Sequence, residues 1–187
     1  MKLVIYSDCH YYTPQEIRCI PTDLDQINRE NSFSIGDNFD RKGAEPSMRI
    51  ALEREFKTHR ALFTGRFITG NHDVMCDDVT KQYLIVSGHI MLVHGDWPSW
   101  GVEKSNTFRN EQAYQGWSSV KGMLAGLRKL WGGHMSKSEA RDAANIAKMH
   151  KCNVIIFGHT HVKEVQDRTI DGIRVLNAPR GRSEVEV

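Results

Sequence analysis

The residues that could do chemistry in this sequence are aspartates, asparagines and histidines that directly follow short apolar runs. These runs cover residues 3–7, 33–35, 67–69, 90–93 and 154–157. The polar side chains that come after them are Asp8 and His10; Asp37, Asp40 and Arg41; Asn71, His72 and Asp73; His94 and Asp96; and His159 and His161. Because ligands of α/β proteins bind at the carboxyl ends of the strands, the sequence predicts that these side chains meet in one site.

This set of side chains is suited to divalent metal ions. Imidazole, carboxylate and amide groups without cysteine are suitable ligands for Mn²⁺, Fe, Zn²⁺, Ni²⁺ or Co²⁺. There are enough ligands for two ions, and one carboxylate could bridge them. Two ions about 3.5–4 Å apart form a clamp for in-line displacement at phosphorus. The five groups of polar residues, in this order and each at the end of an apolar run, therefore indicate a dinuclear centre for phosphoester chemistry.

The series DCH, GDNFDR, GNHD, HGD and GHTH resembles the motifs of the calcineurin-like metallophosphoesterase superfamily over positions 8–161. The resemblance implies an α/β fold, in which a two-sheet β-sandwich is flanked by helices and carries a dinuclear centre at the strand ends. It also implies two divalent metal ions, for which we favour manganese, and a metal-activated water as the nucleophile. The implied ligands are Asp8, His10 and His161 for the first metal, Asn71, His94 and His159 for the second, and Asp37 as the bridge.

The same resemblance implies roles for the other motif residues. His72 is expected beside the leaving group as general acid, and Asp40 is expected to orient His72 through a hydrogen bond. Arg41 is expected to bind phosphate oxygens with its planar fork, although a surface salt bridge is the alternative. Asp73 and Asp96 lie next to ligands and are expected to orient imidazole rings rather than to bind metal.

Length and composition bound the fold and exclude several classes of protein. The chain has 187 residues, 40% hydrophobic and 26% charged, which indicates one globular domain over residues 1–187. No apolar stretch approaches the ~18 residues that a membrane-spanning helix requires, so we expect no transmembrane segment. The four cysteines lack paired spacing and are interpreted as reduced thiols of a cytoplasmic protein. A net charge of +2 does not by itself favour nucleic acid as a partner.

Apolar patterning predicts strands that alternate with helices. The predicted strands cover residues 3–7, 33–36, 66–70, 83–88, 90–95, 154–159 and 173–178. The predicted helices cover residues 42–63, with Ile50, Leu52, Phe56 and Leu62 on one side, and residues 136–150, which open at Ser138. Residues 87–89 and the Asp171-Gly172 pair predict tight turns between strands. The polar residues 180–187 are expected to fray.

The stretch 97–135 differs from the rest because it lacks strand-like runs and contains all four tryptophans of the chain. We predict that residues 97–150 form a small helical cap inserted over the site. The alternative is that these aromatic residues are the core of a helical subdomain.

The sequence leaves several activities open. His72 favours a phosphodiesterase that acts on a soluble nucleotide-like or other small diester, because a poor leaving group benefits from protonation. The GDNFDR motif with Arg41 favours a phosphomonoesterase such as a protein phosphatase. Basic and aromatic residues between 97 and 151 would suit a nuclease, but acidic residues balance them, so nucleic acid is not favoured. A non-catalytic scaffold is the remaining alternative. We expect a small phosphorylated substrate and assign no oligomeric state.

Overall fold

The computed structural model describes residues 1–10, 23–39, 46–73, 82–105 and 133–187. Its helices and strands follow one another as β1 (Lys2–Ser7), α1 (Leu24–Arg29), β2 (Ser32–Ser34), α2 (Pro46–Leu62), β3 (Tyr83–Val86), β4 (Ile90–Val93), α3 (Asp96–Trp100), α4 (Lys137–Met149), β5 (Val154–Phe157), β6 (Gln166–Ile170), β7 (Ile173–Asn177) and β8 (Gly181–Glu186). The predicted mixed α/β fold is confirmed, with two sheets flanked by helices.

The strands form one sheet of three and one sheet of five. The first sheet has the order β2-β1-β8, in which β1 is parallel to β2 and antiparallel to β8. The second has the order β3-β4-β5-β7-β6, in which β4, β5 and β7 are parallel to one another. Parallel strands end at the same edge of their sheet, so the residues that follow them are brought together there.

Three apolar layers hold the sheets and helices together. Leu3 and Ile5 of β1 point between the sheets and pack with Leu92 and Ile156. Their strand neighbours point to the opposite face, because successive side chains of a strand alternate. There Val4 and Tyr6 pack with Ile27, Phe39, Leu52, Phe56, Phe63 and Phe67. On the outer face of the second sheet, the alanines of α4 pack against Val93, Ile155 and Val175.

The start of α4 and the buried face of α2 differ from the sequence-based expectation. Helix α4 is capped by Ser136 rather than Ser138, since the Ser136 hydroxyl accepts from Glu139 N and the Glu139 carboxylate accepts from Ser136 N. In α2, Ile50 is 79% exposed although it was predicted on the apolar side. The buried stripe runs through Leu52, Phe56, His59 and Phe63, and Ile50 lies two residues, or about 200°, from its start.

Two predicted strand features are corrected. Residues 181–186 form β8 along β1 instead of fraying, because Ser183 and Val185 are buried while Glu184 and Glu186 are exposed, which is the period of a half-buried strand. Residues 66–70 were predicted as a strand but belong to neither of the described sheets. Within this range, Phe67 forms an isolated β-bridge with Ser34. The tight turns predicted between β3 and β4 and between β6 and β7 are confirmed.

The predicted cap over residues 97–150 is only partly described. Helix α4 lies in this range, yet it belongs to the outer layer of the second sheet. Helix α3 is attached to it, because Ser99 Oγ donates to Glu139 Oε1 over 3.1 Å. Residues 106–132 lie outside the described residues, so the cap over the site stays a prediction. Within the described ranges, no helix has both the length and the apolar character that a membrane crossing requires.

Candidate metal centre

The seven predicted ligands converge at the carboxyl-end edge of the two sheets. The ligand atoms of six of them form two groups, and within each group the atoms all lie within 4.8 Å of one another. The first group contains Asp8, His10 and His161, and the second contains Asp8, Asp37, His94 and His159. Asn71 joins the second group, since its Oδ1 lies 3.1 Å from His94 Nε2. Asp8 is therefore common to both groups.

The spacing within the groups is that of ligands around a shared ion. His10 Nε2 and His161 Nε2 lie 3.1 Å apart, and His94 Nε2 lies 3.2 Å from Asp37 Oδ2. Ligands that bind one ion at about 2.1 Å lie roughly 3 Å from one another in tetrahedral or octahedral geometry. The groups therefore fit divalent metal ions.

One oxygen of the Asp8 carboxylate receives no hydrogen bond from the described residues. Its Oδ2 accepts from His159 N over 2.7 Å and from the Ser7 hydroxyl. Its Oδ1 is buried and has no hydrogen-bond partner among the described residues, and His161 Nε2 lies 3.6 Å away. A buried carboxylate oxygen without a partner is costly unless a cation meets it, so this atom also fits a metal site.

At the centre, several residues adopt the left-handed backbone conformation that residues other than glycine usually avoid. Five predicted ligands have positive φ angles, namely Asp8 at 53°, His10 at 49°, Asp37 at 54°, His159 at 73° and His161 at 52°. Such left-handed residues store strain and cluster at functional sites. Two backbone hydrogen bonds of 3.0 Å stabilise the arrangement, from Asp8 N to Gly36 O and from His10 N to Asp37 O.

Glycines allow the ligand loops to approach one another. A Cβ on Gly70 would overlap the side chain and the backbone nitrogen of Asp37. A Cβ on Gly158 would overlap the Ser7 hydroxyl and the Asp8 carboxylate. At these two positions any other residue would push a predicted ligand out of place.

His94 is oriented by a backbone carbonyl. Its Nδ1 lies 3.0 Å from Ile35 O, and because a carbonyl only accepts, Nδ1 carries the hydrogen. Its Nε2 then faces Asn71 and Asp37 as the ligand atom. A hydrogen bond of this type fixes the tautomer of a metal-binding histidine.

Asp73 has a different role from the predicted one. Instead of orienting an imidazole, its buried carboxylate accepts hydrogen bonds from the backbone N–H groups of Asp37 (2.6 Å), Phe39 (3.1 Å) and Gly70 (3.0 Å). It thereby joins the loop that carries Asp37 to the loop that carries Asn71. Burial, together with the charge of Asp37, raises the pKa of Asp73 to about 6.

Asp96 is buried at the start of α3, close enough for its charge to act on His94. Its backbone carbonyl accepts from Ser105 Oγ over 2.9 Å. The predicted role in orienting an imidazole stays a prediction.

The electrostatics of the centre oppose protonation of its carboxylates. Burial alone would raise the pKa of Asp37, but the imidazoles of His94 and His72 outweigh it and hold that pKa well below its usual range. The pKa of Asp8 is also lowered, because His161 and His94 outweigh the effect of burial. Burial would lower the pKa of His94, but Asp37 and Asp8 raise it to about 9. A metal that binds His94 would therefore displace a proton.

His72 lies beside the predicted ligands and is half-buried. Its backbone N–H donates to Asp37 Oδ1 over 2.7 Å. Its ring meets the ring of His10 edge to face, with the centroids 4.7 Å apart. The predicted partners Asp40 and Arg41 lie outside the described residues, so their roles stay predictions.

Three residues at the centre were missed by sequence reasoning. Asn38 joins the first two ligand loops, because its Oδ1 accepts from Cys9 N over 3.4 Å and its Nδ2 donates to Tyr6 O over 3.2 Å. Trp100 meets the ring of His159 edge to face at 5.1 Å. Arg180 Nη2 donates to Cys9 O over 2.9 Å. Asn38 stands inside a quoted motif, whereas Arg180 stands in the segment that was expected to fray.

A protein-family model matches most of the chain. The family model described as calcineurin-like phosphoesterase matches residues 1–163. No curated protein matches the sequence.

Several solved structures are similar to the chain at low identity. A predicted phosphoesterase from Streptococcus pneumoniae TIGR4 is 16% identical with a TM-score of 0.44, over 99% of this chain and 83% of that chain. A dimetal phosphatase from Danio rerio is 11% identical with a TM-score of 0.49, over 98% and 91%. Vacuolar protein sorting 29 from Cryptosporidium parvum is 12% identical with a TM-score of 0.41, over 96% and 74%.

Proposed function

Because the chain belongs to the calcineurin-like phosphoesterase family, we propose that it hydrolyses a phosphoester with two divalent metal ions. The observation that carries the proposal is the pair of ligand groups that meet at Asp8. The residues proposed to hold the metals are Asp8, His10 and His161 for one ion, Asn71, His94 and His159 for the other, and Asp37 as the bridge. In the structure Asp37 lies in the second ligand group, and Asp8 is the residue common to both groups. We favour manganese, which accepts imidazole and carboxylate ligands together.

The metals and the protein contribute different parts of the chemistry. When bound, two such ions supply a nucleophile from water at neutral pH and neutralise charge on the phosphoryl oxygens. His72 donates a proton to the leaving-group oxygen as the phosphorus–oxygen bond breaks. Its position is supported by the hydrogen bond from its backbone N–H to Asp37 Oδ1. Asp40 is proposed to orient the imidazole and Arg41 to bind phosphate oxygens.

We propose a small soluble diester, such as a nucleotide-like diester, as the substrate. A general acid is most useful for a diester with a poor leaving group, and His72 supports this preference. The net charge of +2 is too small to support nucleic acid as the substrate. The cytoplasm remains the proposed compartment, on the unpaired spacing of the cysteines in the sequence.

The proposal is tested with purified protein reloaded with Mn²⁺ and assayed on bis-p-nitrophenyl phosphate and p-nitrophenyl phosphate side by side. The Asp37→Asn variant serves as the blank. Faster hydrolysis of the diester is the expected result. Preference for the monoester would replace the diesterase by a phosphomonoesterase. No metal-dependent activity together with no bound metal would support the non-catalytic scaffold instead.

A further inference from the structure

Arg180 is placed at the metal centre by strand pairing. In the antiparallel register of β1 and β8, Gly181 lies opposite Ser7. Arg180 and Asp8 each lie one residue beyond this pair, so the register brings Arg180 to the level of the first predicted ligand. Its guanidinium reaches the carbonyl of Cys9, the residue between Asp8 and His10.

The backbone around Arg180 is attached on both sides to strands that carry the centre. Before it, Ala178 N donates to Phe157 O over 2.7 Å, close to the end of β5 that precedes His159. After it, Gly181 adopts a φ of 91°, which glycine tolerates, and enters the pairing with β1. The side chain of Arg180 therefore starts from a fixed point between the two sheets.

Arg180 differs from the neighbouring arginines in its partners. Arg174 pairs with Asp167 at 2.7 Å, and Arg182 pairs with Glu30 and Glu184 at 3.3 Å. Arg180 is exposed, and among the described residues it has no carboxylate partner and uses one of its N–H groups, on Cys9 O. A guanidinium has five such donors in a planar fork.

An arginine that uses one of its five donors and has no carboxylate partner among the described residues is suited to bind an anion that approaches the centre. Its planar guanidinium fork matches two oxygens of a phosphoryl group at once. The Cys9 carbonyl holds one donor, which orients the fork before the anion arrives. Because the side chain is already held at one end, less conformational freedom is lost on binding.

We propose that Arg180 is a substrate-binding residue that contacts a phosphoryl oxygen of the phosphoester. The assignment rests on the proposed function, since it requires a phosphoester at the centre. Arg180 lies in the connection between β7 and β8 and provides a second cation for the substrate, in addition to the predicted Arg41. It also gives this connection, which the strand motifs did not include, a direct part in binding.

The test compares the full-length, Mn²⁺-loaded protein with Arg180→Gln, Arg180→Lys and the control Arg182→Gln. Glutamine removes the charge but retains an amide donor for Cys9 O, and lysine retains the charge without the fork. The control removes an exposed arginine of β8 that is paired with carboxylates. Metal content, kcat and KM on bis-p-nitrophenyl phosphate and inhibition by inorganic phosphate are measured for each protein.

We expect Arg180→Gln to keep its metals and to raise KM and the inhibition constant for phosphate about tenfold or more. Arg180→Lys should recover part of the loss, and Arg182→Gln should match the unmodified protein. Values for Arg180→Gln equal to those of the control would overturn the assignment. A loss of metal at unchanged KM would also overturn it and make Arg180 a positioning residue for the Asp8–His10 loop.

Failure of the proposed function is a separate result. If the unmodified protein hydrolyses neither test ester, that function fails. The binding of inorganic phosphate by calorimetry then still decides the assignment: equal phosphate binding by Arg180→Gln and the unmodified protein would refute it, and at least tenfold weaker binding would support it.

Discussion

His72 and Asp37 are joined directly, because the backbone N–H of His72 donates to Asp37 Oδ1 over 2.7 Å. The other oxygen of Asp37 lies 3.2 Å from His94 Nε2. The proposed general acid and the proposed bridging carboxylate therefore depend on one another for position. A change at Asp37 alters the backbone that carries His72, whereas a change in the His72 side chain leaves that hydrogen bond in place.

Asp37→Asn should remove metal and activity together. The amide replaces a carboxylate that faces His94, so it offers weaker charge compensation to a cation. We expect less bound metal and at least about 100-fold lower activity, since even residues that only support ligands cost 10–100-fold. Metal analysis and the diester assay measure both effects. The matched control is Asp167→Asn, which changes an exposed carboxylate, and a fully loaded, fully active Asp37→Asn would contradict the dinuclear assignment.

His72→Gln should keep the metals and change the dependence on the leaving group. Without its acid, the protein should lose about 10²–10⁴-fold in rate on esters with poor leaving groups and less on nitrophenyl esters. A series of aryl diesters, with kcat/KM plotted against the pKa of the leaving phenol, should give a steeper slope for the variant. His89→Gln, at an exposed turn, is the control. An equal loss on every ester would argue against proton donation by His72.

Asp73→Asn should weaken the centre without touching a proposed ligand. The amide can accept through one oxygen only, so at least one of three buried backbone N–H groups loses its partner. We expect the free energy of unfolding to fall by about 1–3 kcal/mol and metal affinity to fall about 10–100-fold. Denaturant unfolding and metal titration measure the two quantities. Asp171→Asn provides an exposed comparison, and unchanged metal affinity in Asp73→Asn would show that the two loops hold their positions without it.

Acid should destabilise the protein through His59, which is buried in helix α2 away from the metal ligands. Its ring packs against Phe39, Phe63 and Phe67, and its Nε2 lies 3.2 Å from Ser34 Oγ. Burial lowers its pKa from 6.5 to about 3. The depressed pKa means that His59 contributes stability above pH 6.5, and this contribution is lost as the pH falls from 6.5 towards 3.

The loss should approach about 1.4 kcal/mol per pH unit between pH 6 and pH 4. In His59→Phe the unfolding free energy should fall less steeply over that interval than in the unmodified protein. Urea unfolding of both proteins in excess chelator measures the slopes without a contribution from metal. His89→Gln should retain the original slope, and parallel curves for His59→Phe and the unmodified protein would refute the titration of His59.

The convergence of the proposed ligands could be predicted from the sequence because each follows an apolar run, and parallel strands bring such positions together. The layered α/β arrangement could be predicted for the same reason, since continuous apolar runs indicate strands that are covered on both faces. The local pattern was less informative where a segment is half-buried. Residues 181–186 alternate between exposed and buried positions, but Val185 is the one apolar side chain among them, so their composition does not reveal this period.

The role of Asp73 could not be read from the sequence because it depends on distant backbone. Its partners at Asp37 and Phe39 are more than thirty residues away, and backbone N–H groups have no sequence signature. The same holds for Arg180, whose contact at Cys9 follows from the register of β1 and β8. Ile50 shows the converse, because its apolar character predicted burial but its angular position on α2 exposes it.

The pairing of β1 with β8 has a consequence for the order of events during synthesis. Asp8 and His10 are translated before the other proposed ligands, yet the strand that completes one side of β1 is translated after every proposed ligand. Until residues 181–186 emerge, β1 presents an unpaired edge, and the Asp8–His10 loop lacks its contact with Arg180. We infer that the centre is completed only after β8 has been translated, so that a chain interrupted before β8 carries all the proposed ligands without the finished centre.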